Sequence, residues 1–443
     1  MRTARKFLKA AGVVGASAAL LLTTACQSGS LTGANNASAG VTLIKLLSTN
    51  DTTNTAISKA LVDGFNASQN KYKVTVVSRP GGTEGDNLVK TRLSTGSMED
   101  VFQYNSGSLM NNLNPTKNLL PLGDESYVKD FTDPFKLAVT ATADKKIYGA
   151  PWGAGNGGGI MYNKKVYDQL GLSIPQTWDQ FMANSQKIKA AGKTAVLQTY
   201  GTTWTSQLFM LGDFANINAT DPQWADKWTS NKTNYESQPG LGGFQDTEDV
   251  FKAGFVNSDA ASLTVDNGLK MLAKGDAVQY PILSGNITTV QQNSPDLVKD
   301  LGFFPIPTRL GSKSTLTTWV PNALYIPTTT KGANLEAAKA FIAYTEGADG
   351  CKAQLSAFSP NGPFGMSTCK PSGNLPQVAQ DVFKYVNDKQ FGPALEFISP
   401  LKGPNLESII ILVGTGQKSA KEAAALYDED AKKQAQQLNL PGW

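Results

Sequence analysis

The strongest constraint on the fold is an alternation that starts near residue 41. The run VTLIKLLS is short, apolar and rich in branched residues, which suits a buried strand. From about Thr55 to Asn66, Ile57, Ala60, Leu61 and Phe65 recur at helical spacing on one face, and KYKVTVVS then returns to strand character. Strand, helix, strand in this rhythm predicts parallel pairing with helices packed on the sheet. Leu88 to Thr95 continues as a helix and DVFQYN as another strand.

The alternation resumes beyond residue 170. Thr177 followed by Gln180 is a capping-box pattern that opens a helix, and Gly192 marks its end. TAVLQTYG, DAVQYPIL and NALYIP read as strands, and Ser419 with Glu422 caps a last long helix running toward Gln437. A chain of 443 residues exceeds the length at which single cores stop growing, so an α/β protein of two lobes is expected. Trp178, three residues before Phe181, reads as core; Trp224 and Trp228 fall in what reads as a polar loop region; SIIILVG is too short to span a bilayer and reads as a buried helix segment.

The N-terminus is of another kind. Arg2, Arg5, Lys6 and Lys9 precede an apolar run from Ala10 to Leu22, the pattern of a secretion signal. The four basic residues would leave with it, which lowers 40 Lys+Arg to 36 against 36 Asp+Glu, so the mature chain is formally neutral. That balance offers no basic stripe for nucleic acid. Only Arg79, Arg92 and Arg309 remain as arginines, which disfavours a polyanionic ligand. After Cys26, QSGSLTGANNASAG is small and polar and reads as a flexible tether over 26–40.

There is no histidine, which excludes Ser-His-Asp and Cys-His catalysis and every histidine-ligated metal site. No metal and no cofactor is expected. In an exported chain Cys351 and Cys369 would form a disulfide, for which loop entropy suggests about 3 kcal/mol; two buried thiols are the alternative.

One motif invites a nucleotide reading. In APWGAGNGGGIMYNKK, Gly153, Gly155 and Gly158 satisfy G-x-G-x-x-G. That spacing seats a pyrophosphate only between a strand and a helix N-terminus. Here the turn-like YGAPW precedes it and the strand-like IMYN follows, so the match is read as false.

Taken in order, the segments LLLTTACQSGS, LSTGSMEDVFQYN, GAPWG, IMYNKKVYDQLGLSIPQTWDQF, IKAAGKT, GFFPIP and AAALYDEDAKKQAQQLNLPGW resemble the family 1 extracellular solute-binding proteins of carbohydrate ABC importers. The resemblance covers nearly all of the mature chain. It implies a two-lobed periplasmic-binding-protein-like fold (type II) with the ligand cleft between lobes, one from 41–154 plus 320–368 and the other from 155–319 plus 369–443. It implies a signal peptide over 1–25, lipidation at Cys26, with Thr23 departing from the usual Leu, and anchorage to the outer face of the cell membrane. The partners implied are an oligosaccharide and the permease subunits of an ABC system; a monomer and no catalysis are expected.

A sugar offers an apolar C–H face and a ring of hydroxyls, so its site needs aromatic planes and amide or carboxylate groups. Covering about 40 Å² of apolar sugar surface is worth roughly 1 kcal/mol per aromatic platform. Trp152 and Gly153 stand beside the glycine crossing and Asn156 just after it, where the resemblance places ligand contacts. Ser48, Asn50 and Asp51 follow the first strand, and Tyr104 and Asn105 end another, where open α/β sheets bind ligands. Tyr200, Trp204, Tyr280 and Trp319 are the candidates from the other lobe. Many members of the family carry a Trp after the KGDAV strand, whereas this chain has Leu283, Ser284 and Gly285. Two rivals remain open: a secreted glycosidase, which needs only two carboxylates, and a surface lipoprotein with no small ligand.

Overall fold

The computed structural model describes residues 40–443 apart from Ser312 and Ser372. The signal segment, Cys26 and all of the tether but Gly40 lie outside the described residues.

The first sheet is built from β1 (Thr42–Thr49), β2 (Tyr72–Arg79), β3 (Val101–Tyr104), β4 (Ala150–Trp152) and β10 (Asn322–Tyr325), in the order β2-β1-β3-β10-β4. β1 runs parallel to β2 and β3, as the strand–helix–strand rhythm predicts, whereas β10 is antiparallel to both β3 and β4. The helix after β1 spans Thr52–Ser68 and starts earlier than its apolar spacing suggests. Asp51 caps it, its Oδ1 accepting from the Asn54 N–H at 2.9 Å. Ile57, Leu61 and Phe65 bury that helix against a core that also holds Leu46, Phe102, Tyr325 and Phe341.

β5 (Asn156–Asn163), β6 (Thr194–Val196), β7 (Ala277–Leu283), β8 (Leu301–Pro305), β9 (Leu316–Trp319) and β11 (Phe391–Pro393) form the second sheet. Its order is β11-β9-β5-β7-β6, with β8 continuing beside β9 along the same edge of β5. The chain therefore passes between sheets at residues 153–155 and again at Val320 and Pro321. At the first passage YGAPW is not a turn, because Ala150–Trp152 pairs with β10. A strand leads into the glycines, yet another strand leaves them, so no helix N-terminus faces that point and the dinucleotide reading fails on structure.

Trp178 packs on Phe181 at 5.0 Å between ring centroids, in the core. Trp224 and Trp228 correct the loop reading. They lie on the helix Trp224–Thr229, fully buried, and Trp228 stacks on Tyr427 from the last helix, Ala420–Gln437. That helix carries the complete Ser419–Glu422 capping box, and SIIILVG lies within the helix Leu406–Gly414, with Ile409 and Ile410 buried. A disulfide joins Cys351 to Cys369, Cα atoms 5.6 Å apart, and ties the helix Ala348–Ala357 to the chain that follows it. Among the described residues, no helix is long and apolar enough to cross a membrane.

Candidate functional site

Between the two sheets lies a cleft of about 550 Å³. The strand ends of the first sheet form one wall. Asn50 and Asp51 follow β1, Arg79 ends β2, and Gln103 and Asn105 lie at the end of β3. The other wall comes from the second sheet and the C-terminal segment, with Trp204, Asp266, Trp319 and Glu396 among its residues.

Six of the twelve expected site residues line this cleft: Asn50, Asp51, Asn105, Asn156, Trp204 and Trp319. The other six lie outside its lining, and each is buried or engaged elsewhere. Trp152 is 2% exposed in the first core and sits behind Asn54, whose Oδ1 accepts from its indole N–H at 2.7 Å. Tyr104 is fully buried beneath the Arg79 guanidinium, and Ser48 is buried against Ser58 with 2.9 Å between hydroxyls. Gly153 donates its N–H to Gln354 Oε1 at 2.9 Å, and its φ of +74° explains the glycine. Tyr200 stacks on Phe251, and Tyr280 lies inside its sheet with its hydroxyl bonded to Thr199. The four aromatic residues among these six, Trp152, Tyr104, Tyr200 and Tyr280, all face inward and are buried.

Arg79, not among the expected site residues, also lines the cleft, as the last residue of β2. Its guanidinium donates to the carbonyls of Pro80 at 3.0 Å and Gln103 at 3.3 Å, while its Nε–H meets no acceptor among the described residues. Burial lowers its pKa, and burial raises that of the nearby Asp86 carboxyl. Asp51 is also raised, first by burial and in smaller part by Asp266 across the cleft, against the two Asn54 N–H donations that favour its charged form.

The walls touch across the cleft. Thr52 donates to Asp266 at 3.4 Å, and Glu407 Oε2 accepts from Thr83 at 3.1 Å and from Thr203 at 2.6 Å, one from each wall. Glu396, Lys402 and Glu407 come from a C-terminal segment with no recognisable site pattern, so sequence reasoning had no signal for them.

Around Trp319 the glycines have a steric reason. A Cβ on Gly158 would stand 2.1 Å from the Trp319 ring, and one on Gly155 would stand 2.7 Å from the Trp319 carbonyl. At Gly285 a Cβ would meet Asn156 Oδ1 at 2.2 Å, so the stretch that lacks the expected Trp is filled by the Asn156 amide. No group of three or more His, Cys, Asp or Glu that could hold a metal ion occurs among the described residues.

Two α/β lobes joined by crossing strands, with a polar cleft between them, define the type II solute-binding class. The chain is similar over 89% of its length to a chitin oligosaccharide binding protein (TM-score 0.74, 14% identity, all of that chain covered). It is similar over 88% to RafE in complex with raffinose (TM-score 0.71, 21% identity, 99% of that chain covered). The chain belongs to the bacterial extracellular solute-binding proteins, whose family model matches residues 49–350. In sequence it is 24% identical over 302 residues to the multiple sugar-binding protein of Streptococcus mutans, covering 65% of this chain and 67% of that one.

Proposed function

We propose that this chain captures a short oligosaccharide between its lobes, 41–154 plus 320–368 and 155–319 plus 369–443, and delivers it unaltered to the permease of an ABC importer. The observation that carries the reading is the makeup of the cleft. Its volume of about 550 Å³ falls among those of small-molecule sites. Trp204 and Trp319 supply apolar planes while Asn50, Asn105 and Asn156 supply amides that both donate and accept. The named ligands of its relatives, raffinose and chitin oligosaccharides, point the same way. Ligand touched by both walls is what closing a hinge requires.

Export with a lipid on Cys26 completes the reading, holding a monomeric binding protein at the outer face of the membrane. Replacing Cys26 by Ala should release the protein to the medium.

Thermal unfolding scanned against raffinose, stachyose and chitin oligosaccharides tests the proposal. A ligand at about 100 times its dissociation constant adds roughly 2.7 kcal/mol of stability and raises the midpoint by several degrees. The sugar should be recovered intact. A sugar returned hydrolysed would mean a glycosidase, and a well-folded sample that no glycan shifts would end the sugar reading.

A further inference from the structure

We infer that Glu396 is a positioning residue, holding the Trp319 ring in place in the cleft so that the ring is ready for ligand; the inference rests on the sugar-binding reading for its effect on affinity. Trp319 Nε1–H donates to Glu396 Oε1 at 3.0 Å, and Lys402 Nζ meets the other oxygen, Oε2, at 3.2 Å. Both charged side chains are deeply set, 5% exposed for Glu396 and 11% for Lys402. A buried carboxylate whose two oxygens serve two different donors has a fixed orientation, since rotating it would leave a buried N–H or an ammonium unpaired. The indole is therefore tied at one edge.

Its other restraints come from the crossing strand. The benzo part of the ring lies against the bare backbone of Gly158, where any side chain would collide with it. These two contacts hold a half-buried aromatic ring at the end of β9, next to the short connection between the sheets. An aromatic plane already held where the ligand meets it loses less conformational freedom on binding than one that must first be ordered.

The backbone around Glu396 also meets the first wall. A Cβ on Gly107 would stand 2.5 Å from the Glu396 carbonyl oxygen and 2.9 Å from the Phe397 ring. The segment that fixes Trp319 is thus packed against the opposite lobe through its backbone and Phe397, while the Glu396 side chain holds the ring.

The test is the indole N–H signal of Trp319 in ¹H–¹⁵N spectra of the labelled protein, assigned by its loss in Trp319→Phe. Glu396→Ala should displace that signal and speed its exchange with water. Glu396→Gln, whose amide oxygen still accepts, should restore it toward its original position, and Lys402→Met should displace it less than Glu396→Ala. Affinity for whichever of raffinose, stachyose and diacetylchitobiose binds the unaltered protein should fall about two- to tenfold in Glu396→Ala, the cost of ordering one side chain, and recover in Glu396→Gln. An unmoved Trp319 signal in the folded Glu396→Ala and Lys402→Met proteins overturns the positioning role. A displaced signal with unchanged affinity overturns the link to ligand. If none of the three sugars binds the unaltered protein, the sugar reading falls, and the indole signal alone still decides what Glu396 does.

Discussion

The two walls of the cleft are made of different chemistry. The first lobe presents strand ends and helix starts, with Asn50, Asp51, Asn54, Arg79 and Asn105 and, among the described residues, no aromatic ring. The second presents Trp204, Trp319 and Phe397, with the Glu396–Lys402 pair beside Trp319 and also lining the cleft. The first wall is mainly polar, and the second adds the aromatic rings to polar groups of its own such as Asn156 and Asp266. The difference shows that an aromatic residue near a strand end is not evidence of a stacking platform: in the first lobe the large rings, Trp152 and Tyr104, fill the core.

The largest effects should separate the tryptophans by wall. Trp152→Ala empties a core site and should cost about 3–5 kcal/mol of folding stability, read by denaturant unfolding. Trp204→Ala, half-buried at the cleft and packed on the edge of the second lobe's core, should cost less, about 1–2 kcal/mol, in the same assay. Equal losses would erase the contrast between core and platform.

In binding the order reverses. Trp204→Ala and Trp319→Ala should each weaken the glycan by about 1–3 kcal/mol, measured calorimetrically. On the opposite wall, Asn50→Ala and Asn105→Ala should each cost about 0.5–1.5 kcal/mol, the net worth of one hydrogen bond. Amide variants that lose more than the tryptophan variants would place the main affinity on the first wall.

The smallest effect concerns pH. Burial raises the Asp51 carboxyl in the folded chain, so the folded state holds that proton more tightly than the unfolded state does. Its contribution is fully present below the unfolded carboxyl's range and is lost as pH rises through the raised value. Asp51→Asn keeps a good helix cap and removes the titration. The stability of the Asp variant relative to the Asn variant should therefore fall as pH rises from about 4 to about 7, so that the difference moves in favour of the Asn variant at the higher pH. A difference that is flat with pH would contradict the raised carboxyl.

How far these features could be read from sequence depends on how local they are. The helix Thr52–Ser68 and the capped helix Ala420–Gln437 are set by residues three or four positions apart, and both were legible. TAVLQTYG yields only Thr194–Val196, since beyond Leu197 the chain leaves the sheet. Which way Trp152 faces depends on Asn322, its partner in β10, from the far half of the chain. Trp228 is buried by Tyr427 and Trp443 near the C-terminus, a contact no local pattern announces. Positions at strand ends were legible as cleft-lining, and Asn50, Asp51 and Asn105 follow from that rule. Glu396 and Lys402 were not, because their place beside Trp319 exists only once the C-terminal segment folds back on the second sheet.

The most direct test of the account is titration calorimetry of the sugar that stabilises the protein, against the unaltered chain and the double variant Trp204→Ala/Trp319→Ala. The account predicts saturable binding to the first and loss of measurable binding in the second, with the variant still folded. Equal affinity in both would contradict a cleft whose second wall holds the sugar.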